Sequence, residues 1–170
     1  MKYSIRPIRI EGNDAFLTLT RGYTAVIDAV DAPLVSDRNW SALVRKNTVY
    51  AISNETVGAG KQKMIFLHRI LLGSPKAMHC DHIDGDGLNN RRCNLRIATP
   101  AQNQWNQRIL TKTESGLKGV FRHKGRRKWQ SAIVKHGKRF YLGSFETKED
   151  AAAAYAKASA ELHGEFGRTA

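Results

Sequence analysis

The stretch that decides the reading is His79-Cys80-Asp81-His82-Ile83-Asp84-Gly85-Asp86-Gly87-Leu88-Asn89-Asn90-Arg91, which continues through Asn94-Leu95-Arg96 and reaches Gln102-Asn103. It packs Asp81, Asp84 and Asp86 into six residues, and these are the three acids of residues 61–113, against nine basic side chains. A segment that attracts phosphate has an electrostatic reason to keep carboxylates off its binding face. A tight acidic cluster inside a basic segment therefore points to a cation site. A hard divalent ion such as Mg²⁺ takes oxygen ligands, which Asp carboxylates and Asn carbonyls supply. A histidine beside it, with an ordinary pKa of roughly 6.5, can take a proton from an attacking water. These are the parts that phosphodiester hydrolysis needs.

Local signals place the parts on elements. Residues 77–108 predict strand, turn, loop, strand and helix, with Gly85 and Gly87 punctuating the turn and Leu95-Arg96-Ile97-Ala98 as the second strand. Thr99 reads as an N-cap, Pro100 as the first helical residue and Gln102 as the third, a capping box that puts Asn103 on a helix. Adjacent strand residues face opposite ways, so the strand is expected to twist or end at Asp81-His82 if both serve one site. Asp84 and Asp86 read as turn-shaping residues through side-chain to backbone bonds. His79 and His68 carry no decided role.

This pattern resembles the HNH, or ββα-metal, nuclease motif in the form common among phage and bacterial homing endonucleases. The resemblance is strong over residues 77–108 and extends back to about residue 15, where that family often has a strand-rich leader ending in a His-Arg helix. It implies that His82 is the general base and that Asn94 braces the loop and orients His82. It further implies that Asp81 and Asn103 hold one divalent metal ion, Mg²⁺ first and Mn²⁺ as the alternative. Many relatives have His where this chain has Asn103.

The totals set the frame. At 170 residues the chain has room for one domain of ordinary size or for two or three small ones. The expected division is a strand-rich region over 1–60, a nuclease core over 61–110, a linker over 111–115 and a DNA-binding domain over 116–170. No apolar run approaches the ~20 residues of a membrane helix, since Met64 to Leu72 is broken by His68 and Arg69. The start, MKYSIRPIRIEGND, lacks the apolar core of a signal peptide. A soluble, cytoplasmic protein of a bacterial or phage-infected cell is expected. Cys80 and Cys93, with twelve residues between them, lack the paired spacing of a zinc site and read as reduced thiols. In the leader, Phe16–Leu19 and Ala25–Ile27 flank Arg21-Gly22 as one hairpin. Leu43-Val44 and Val49–Ile52 flank Lys46-Asn47 as another. Lys63 to Leu72 reads as a short helix stopped by Gly73.

The net charge is +13, of which residues 1–60 contribute +1 and residues 61–113 and 114–170 contribute +6 each. Such an excess favours a polyanion, because neutralised phosphates release counterions. Residues 115–145 hold nine basic side chains and no acidic one, with Phe121, Trp129 and Tyr141 interleaved. Strands are expected near 119–123, 129–135 and 139–142, with His136-Gly137 as the second turn. A helix capped by Thr147 then runs to about His163 and ends at Gly164. A sheet covered by one helix leaves its other face free, and a basic, partly aromatic face suits duplex DNA.

This region resembles the Apetala/ethylene-response-factor type of DNA-binding domain over almost all of 116–168. The resemblance implies DNA-facing positions at Lys118, Phe121, His123, Lys128, Gln130, Ala132, Val134, Arg139 and Tyr141, with Trp129, Ser131 and Ile133 toward the helix. The plant domain has arginines where this chain has Phe121, His123 and Val134, so its base preference does not carry over. The expected class is therefore α+β: a strand-rich leader, a ββα-metal core, and a three-stranded antiparallel sheet on one helix. The expected function is site-specific nicking of double-stranded DNA by a monomer, with no protein partner implied. A non-catalytic DNA-binding regulator on the same fold is the alternative, and an RNA-directed protein is the weaker third.

Overall fold

The computed structural model describes residues 4–58, 60–109 and 113–169. Residues 111 and 112 of the expected linker lie outside the described residues. The fold is mixed α and β, with several small antiparallel sheets and few helices. It divides into two compact units, Met1–Thr99 and Pro100–Ala170. Among the described residues no helix is long and apolar enough to cross a membrane.

In the first unit, β1 (Ile8–Glu11), β2 (Asp14–Thr18) and β3 (Thr24–Asp28) form an antiparallel meander. The hairpin expected at Arg21-Gly22 forms, closed by a 3₁₀ turn over Thr20–Gly22. Ala15 and Leu17 of β2 face inward opposite Ile27 and Ala25 of β3, the period of two that buries one face of a sheet. They share a core with Val35, Trp40, Ala51, Leu67, Leu71 and Leu95.

A second sheet contains β4 (Ser41–Val44), β5 (Val49–Val57) and β6 (Lys61–Phe66), in that order. The expected Lys46-Asn47 hairpin is present between β4 and β5. The helix expected from Lys63 is corrected: the chain is strand through Phe66, and α1 covers only Leu67–Leu72. Residues Lys63 to Phe66 pair with Glu55 back to Ile52. Pairing with the strand just before it overrides the helical signal of a short apolar run. Gly73 ends α1 in the left-handed conformation, as expected. The last pair of strands, β7 (His79–His82) and β8 (Leu95–Ala98), is antiparallel.

The second unit begins with α2 (Pro100–Asn106) and continues with β9 (Val120–Phe121), β10 (Trp129–Lys135), β11 (Lys138–Phe145) and α3 (Lys148–His163). The sheet order is β11-β10-β9. The Thr147 side chain accepts from the Asp150 N–H and Gly164 closes the helix, as expected from the cap signals. Ser131 and Ile133 of β10 are buried, and Ile133 packs with Tyr155 and Ala158 of α3.

Candidate active site

β7 ends at His82, whose carbonyl accepts from the Gly85 N–H at 2.9 Å. Both Asp81 and His82 are still paired in the β7–β8 ladder, with Arg96 and Leu95 respectively, and the turn follows them. Both are buried, at 4% and 5% exposure. Asp81 sits opposite Arg96 of β8, whose Nε donates to Asp81 Oδ2 at 2.9 Å.

The loop after β7 is organised around Asn94 and Asp84. Asn94 Oδ1 accepts from the Asp84 N–H at 3.0 Å, while Nδ2 donates to Asn89 O at 2.8 Å and Asp84 Oδ1 at 2.9 Å. The Asn94 carbonyl accepts from the Ile83 N–H at 2.9 Å. Asp84 also receives the Asp86 N–H and the Asn89 amide, at 2.8 and 2.7 Å. Burial raises the Asp84 carboxyl, but these bonds outweigh it and hold the group below the ordinary carboxylate range. Asp86 Oδ1 accepts from the Leu88 N–H at 2.9 Å. Asp84 and Asp86 therefore shape the turn in the manner their side chains allow.

Three neighbours of His82 have no role assigned from the sequence. Asn90 Oδ1 lies 3.3 Å from His82 Nε2. The His68 ring meets it edge-on at 5.1 Å between centroids, and Tyr50 stands 5.9 Å away. Phe66 stacks on His68 at 5.2 Å. Burial lowers the His82 pKa and prevails over the Asn90 bond and the charges of Asp84, Asp81 and Asp86. Burial, with His82 and Arg69 nearby, pushes His68 down to about 3. The lowered pKa of each ring favours the neutral form, in which an imidazole can accept a proton. Nothing in the chain order separates Asn90 from Asn89 beside it, and His68 looks like any histidine on an apolar helix.

The leader grips this loop. The Val26 N–H donates to Leu88 O at 2.9 Å and Val26 O accepts from the Asn90 N–H at 2.7 Å, so the loop lies along β3. Arg91 forks onto Asp14, and Arg92 onto Asp31. The Gly87 N–H donates to Thr48 Oγ1 at 2.9 Å.

A family model described as HNH endonuclease matches residues 72–105, which span this loop and β8. An uncharacterized HNH endonuclease of Acanthamoeba polyphaga mimivirus is 32% identical over 149 residues, covering 86% of this chain and 74% of its own. Protein 3.8 of Escherichia phage T7 is 39% identical over 94 residues, covering 55% of this chain and 77% of its own. The chain belongs to the HNH endonuclease family. It is a nuclease, and its substrate is nucleic acid. No solved structure matches it.

In the second unit of this HNH endonuclease, Asn103 lies half-buried on α2. The same helix stacks Trp105 on His163 of α3, with centroids 4.2 Å apart and planes 10° apart. Lys118 is turned toward α2: its ammonium donates to the carbonyls of Trp105 and Gln107. Desolvation, with Arg168 adding repulsion, lowers it to about 8. Register places Phe121 beside Gln130, Tyr141 beside Ala132 and Arg139 beside Val134. These six alternate with the buried Ser131 and Ile133 and so line the face away from α3. Val134, Arg139 and Tyr141 are exposed, whereas Ala132 is covered. His123 is exposed with its ring edge-on to Phe121, and Lys128 is exposed and paired with Glu146 at 2.7 Å.

Proposed function

We propose that this HNH endonuclease hydrolyses a phosphodiester bond of double-stranded DNA, nicking one strand in the manner of homing-type enzymes. One observation carries the reading: Asp81 and His82 are adjacent, buried residues at the end of one strand, with His82 Nε2 3.3 Å from Asn90 Oδ1. His82 is the general base. A water oxygen attacks phosphorus, its proton passes to His82, one P–O ester bond breaks, and the departing oxygen takes a proton from solvent. Asn94 keeps the loop in shape through its four bonds, as described above.

The donor set suits a hard divalent cation, since Asp81 and Asn103 offer oxygen. The proposed ligand set, which follows the motif resemblance, is one carboxylate and one amide oxygen. When bound, Mg²⁺, or Mn²⁺ in its place, neutralises charge on the phosphate and the leaving oxygen.

The second unit is proposed to anchor on duplex DNA as an Apetala/ethylene-response-factor-like module. Phe121, Gln130, Val134, Arg139 and Tyr141 face the duplex, with His123 and Lys128 at the rim. The likeness of strand and helix order, the basic composition and the exposed Arg139 and Tyr141 support this. Lys118, held on α2, is left as a support of that helix. The enzyme is proposed to act as a monomer in the cytoplasm of its host cell.

The test is a supercoiled-plasmid assay with Mg²⁺, comparing wild type, His82→Ala and Asp81→Ala, with EDTA as control. Open-circle product from wild type alone supports the reading. Intact gel shifts without cleavage by wild type would favour a DNA-binding regulator.

A further inference from the structure

Asn90 has 0% exposure, and its polar groups meet fixed partners. Its N–H donates to Val26 O at 2.7 Å, and its Nδ2 donates to Gly87 O at 3.2 Å. A carbonyl oxygen can only accept, so Gly87 O decides which end of the Asn90 amide carries the hydrogens. The oxygen end is left toward His82 Nε2 at 3.3 Å. That oxygen too can only accept, so in a neutral imidazole Nε2 must bear the hydrogen and the lone pair must sit on Nδ1.

We infer that Asn90 is a positioning residue of this nuclease: it selects the Nε2–H tautomer of His82 and so makes Nδ1 the nitrogen that takes the proton from water. The inference rests on the reading of His82 as the general base. Mechanical support comes from the backbone around Asn90. Val26 ties the loop to β3 on both sides of Asn89, and Asp14 holds the next side chain, Arg91. The amide cannot follow a rotating imidazole, so the imidazole follows the amide. The arrangement does for His82 what a hydrogen-bonded acceptor does for other catalytic histidines, fixing tautomer and ring orientation together.

The first measurement is ¹⁵N NMR of the histidine rings in the full-length, metal-free protein at neutral pH, with the His82 signals identified by their loss in His82→Ala. The expected result is a protonated Nε2 and an unprotonated Nδ1. A His82 carrying its hydrogen on Nδ1 overturns the proposal, whatever the variants do. Asn90→Leu, of similar volume, removes the acceptor; mixed tautomers and a ~10- to 100-fold lower kcat with little change in KM for DNA are expected. Asn90→Asp keeps an acceptor oxygen and is expected to keep the wild-type tautomer and recover part of the rate. A folded Asn90→Leu with wild-type kcat overturns the proposal. Cleavage that survives His82→Ala removes the general-base reading instead, while the NMR result still decides which tautomer Asn90 selects.

Discussion

Asp14 and Arg91 stand 77 positions apart and are joined by two hydrogen bonds, 2.7 Å to Oδ1 and 2.6 Å to Oδ2. Arg91 also donates to Asn89 Oδ1 at 3.0 Å, so one guanidinium links β2 to the loop behind His82. The geometry of the site is therefore set partly from the first strands of the chain. Arg91 holds the Asp14 carboxyl below its ordinary range.

The first prediction concerns this fork. Asp14→Asn and Arg91→Lys both lose the bidentate pairing, because a single ammonium cannot reproduce it. Faster hydrogen exchange at the Asn90 N–H and a kcat reduced by up to ~10²-fold are expected, since small misplacements of a catalytic group are costly. Wild-type exchange at Asn90 in both variants would refute the link.

Gly87 is required by contact. A Cβ there would lie 2.5 Å from Val49 O and 2.7 Å from the Tyr50 ring. Gly87→Ala must push the loop off β5, at a cost of about 1–3 kcal/mol for overpacking. Urea unfolding and plasmid nicking measure the two consequences. Unaltered stability together with unaltered nicking would contradict the packing argument.

His68 predicts a pH dependence. Its folded pKa, about 3, lies below the ordinary 6.5. The unfolded chain therefore binds the proton more readily, and stability falls as pH drops from 6.5 toward 3. His68→Phe, which keeps a ring beside Phe66 and Tyr50, is expected to flatten the fall in melting temperature between pH 7 and pH 4.5. Parallel curves for wild type and variant would show that His68 does not contribute.

Arg139 tests the proposed DNA face. Arg139→Ala is expected to weaken duplex binding across sequences and to reduce the slope of log K against log salt by about 1, the signature of one lost phosphate contact. Lys118→Ala is expected to leave that slope unchanged, because its ammonium is spent on the carbonyls of Trp105 and Gln107. Equal effects of the two variants would place Lys118 on the DNA instead.

What was legible in the sequence had local causes. β8 at Leu95–Ala98, the start of α2 at Pro100, the turn at His136-Gly137 and the Thr147 cap follow from alternation, caps and turn residues within a few positions. The candidate Asp81-His82 pair stands out in the sequence because hydrolysis of phosphate esters calls for a carboxylate and a base close together. β6 was not legible, because its ladder partner lies across a hairpin and outweighs a local helical signal.

By itself, then, the sequence determined the element types wherever short-range signals were strong, the excess of positive charge, and the chemistry of the candidate site. Tertiary structure alone decided which of several asparagines touches His82, that His68 and Tyr50 flank it, and that the Lys118 ammonium meets the carbonyls of Trp105 and Gln107. The reason is physical. Hydrogen-bond partners and desolvation belong to pairs of groups brought together by packing, and here those pairs depend on the loop docking along β3, which no residue of the loop specifies without Val26 and Asp14.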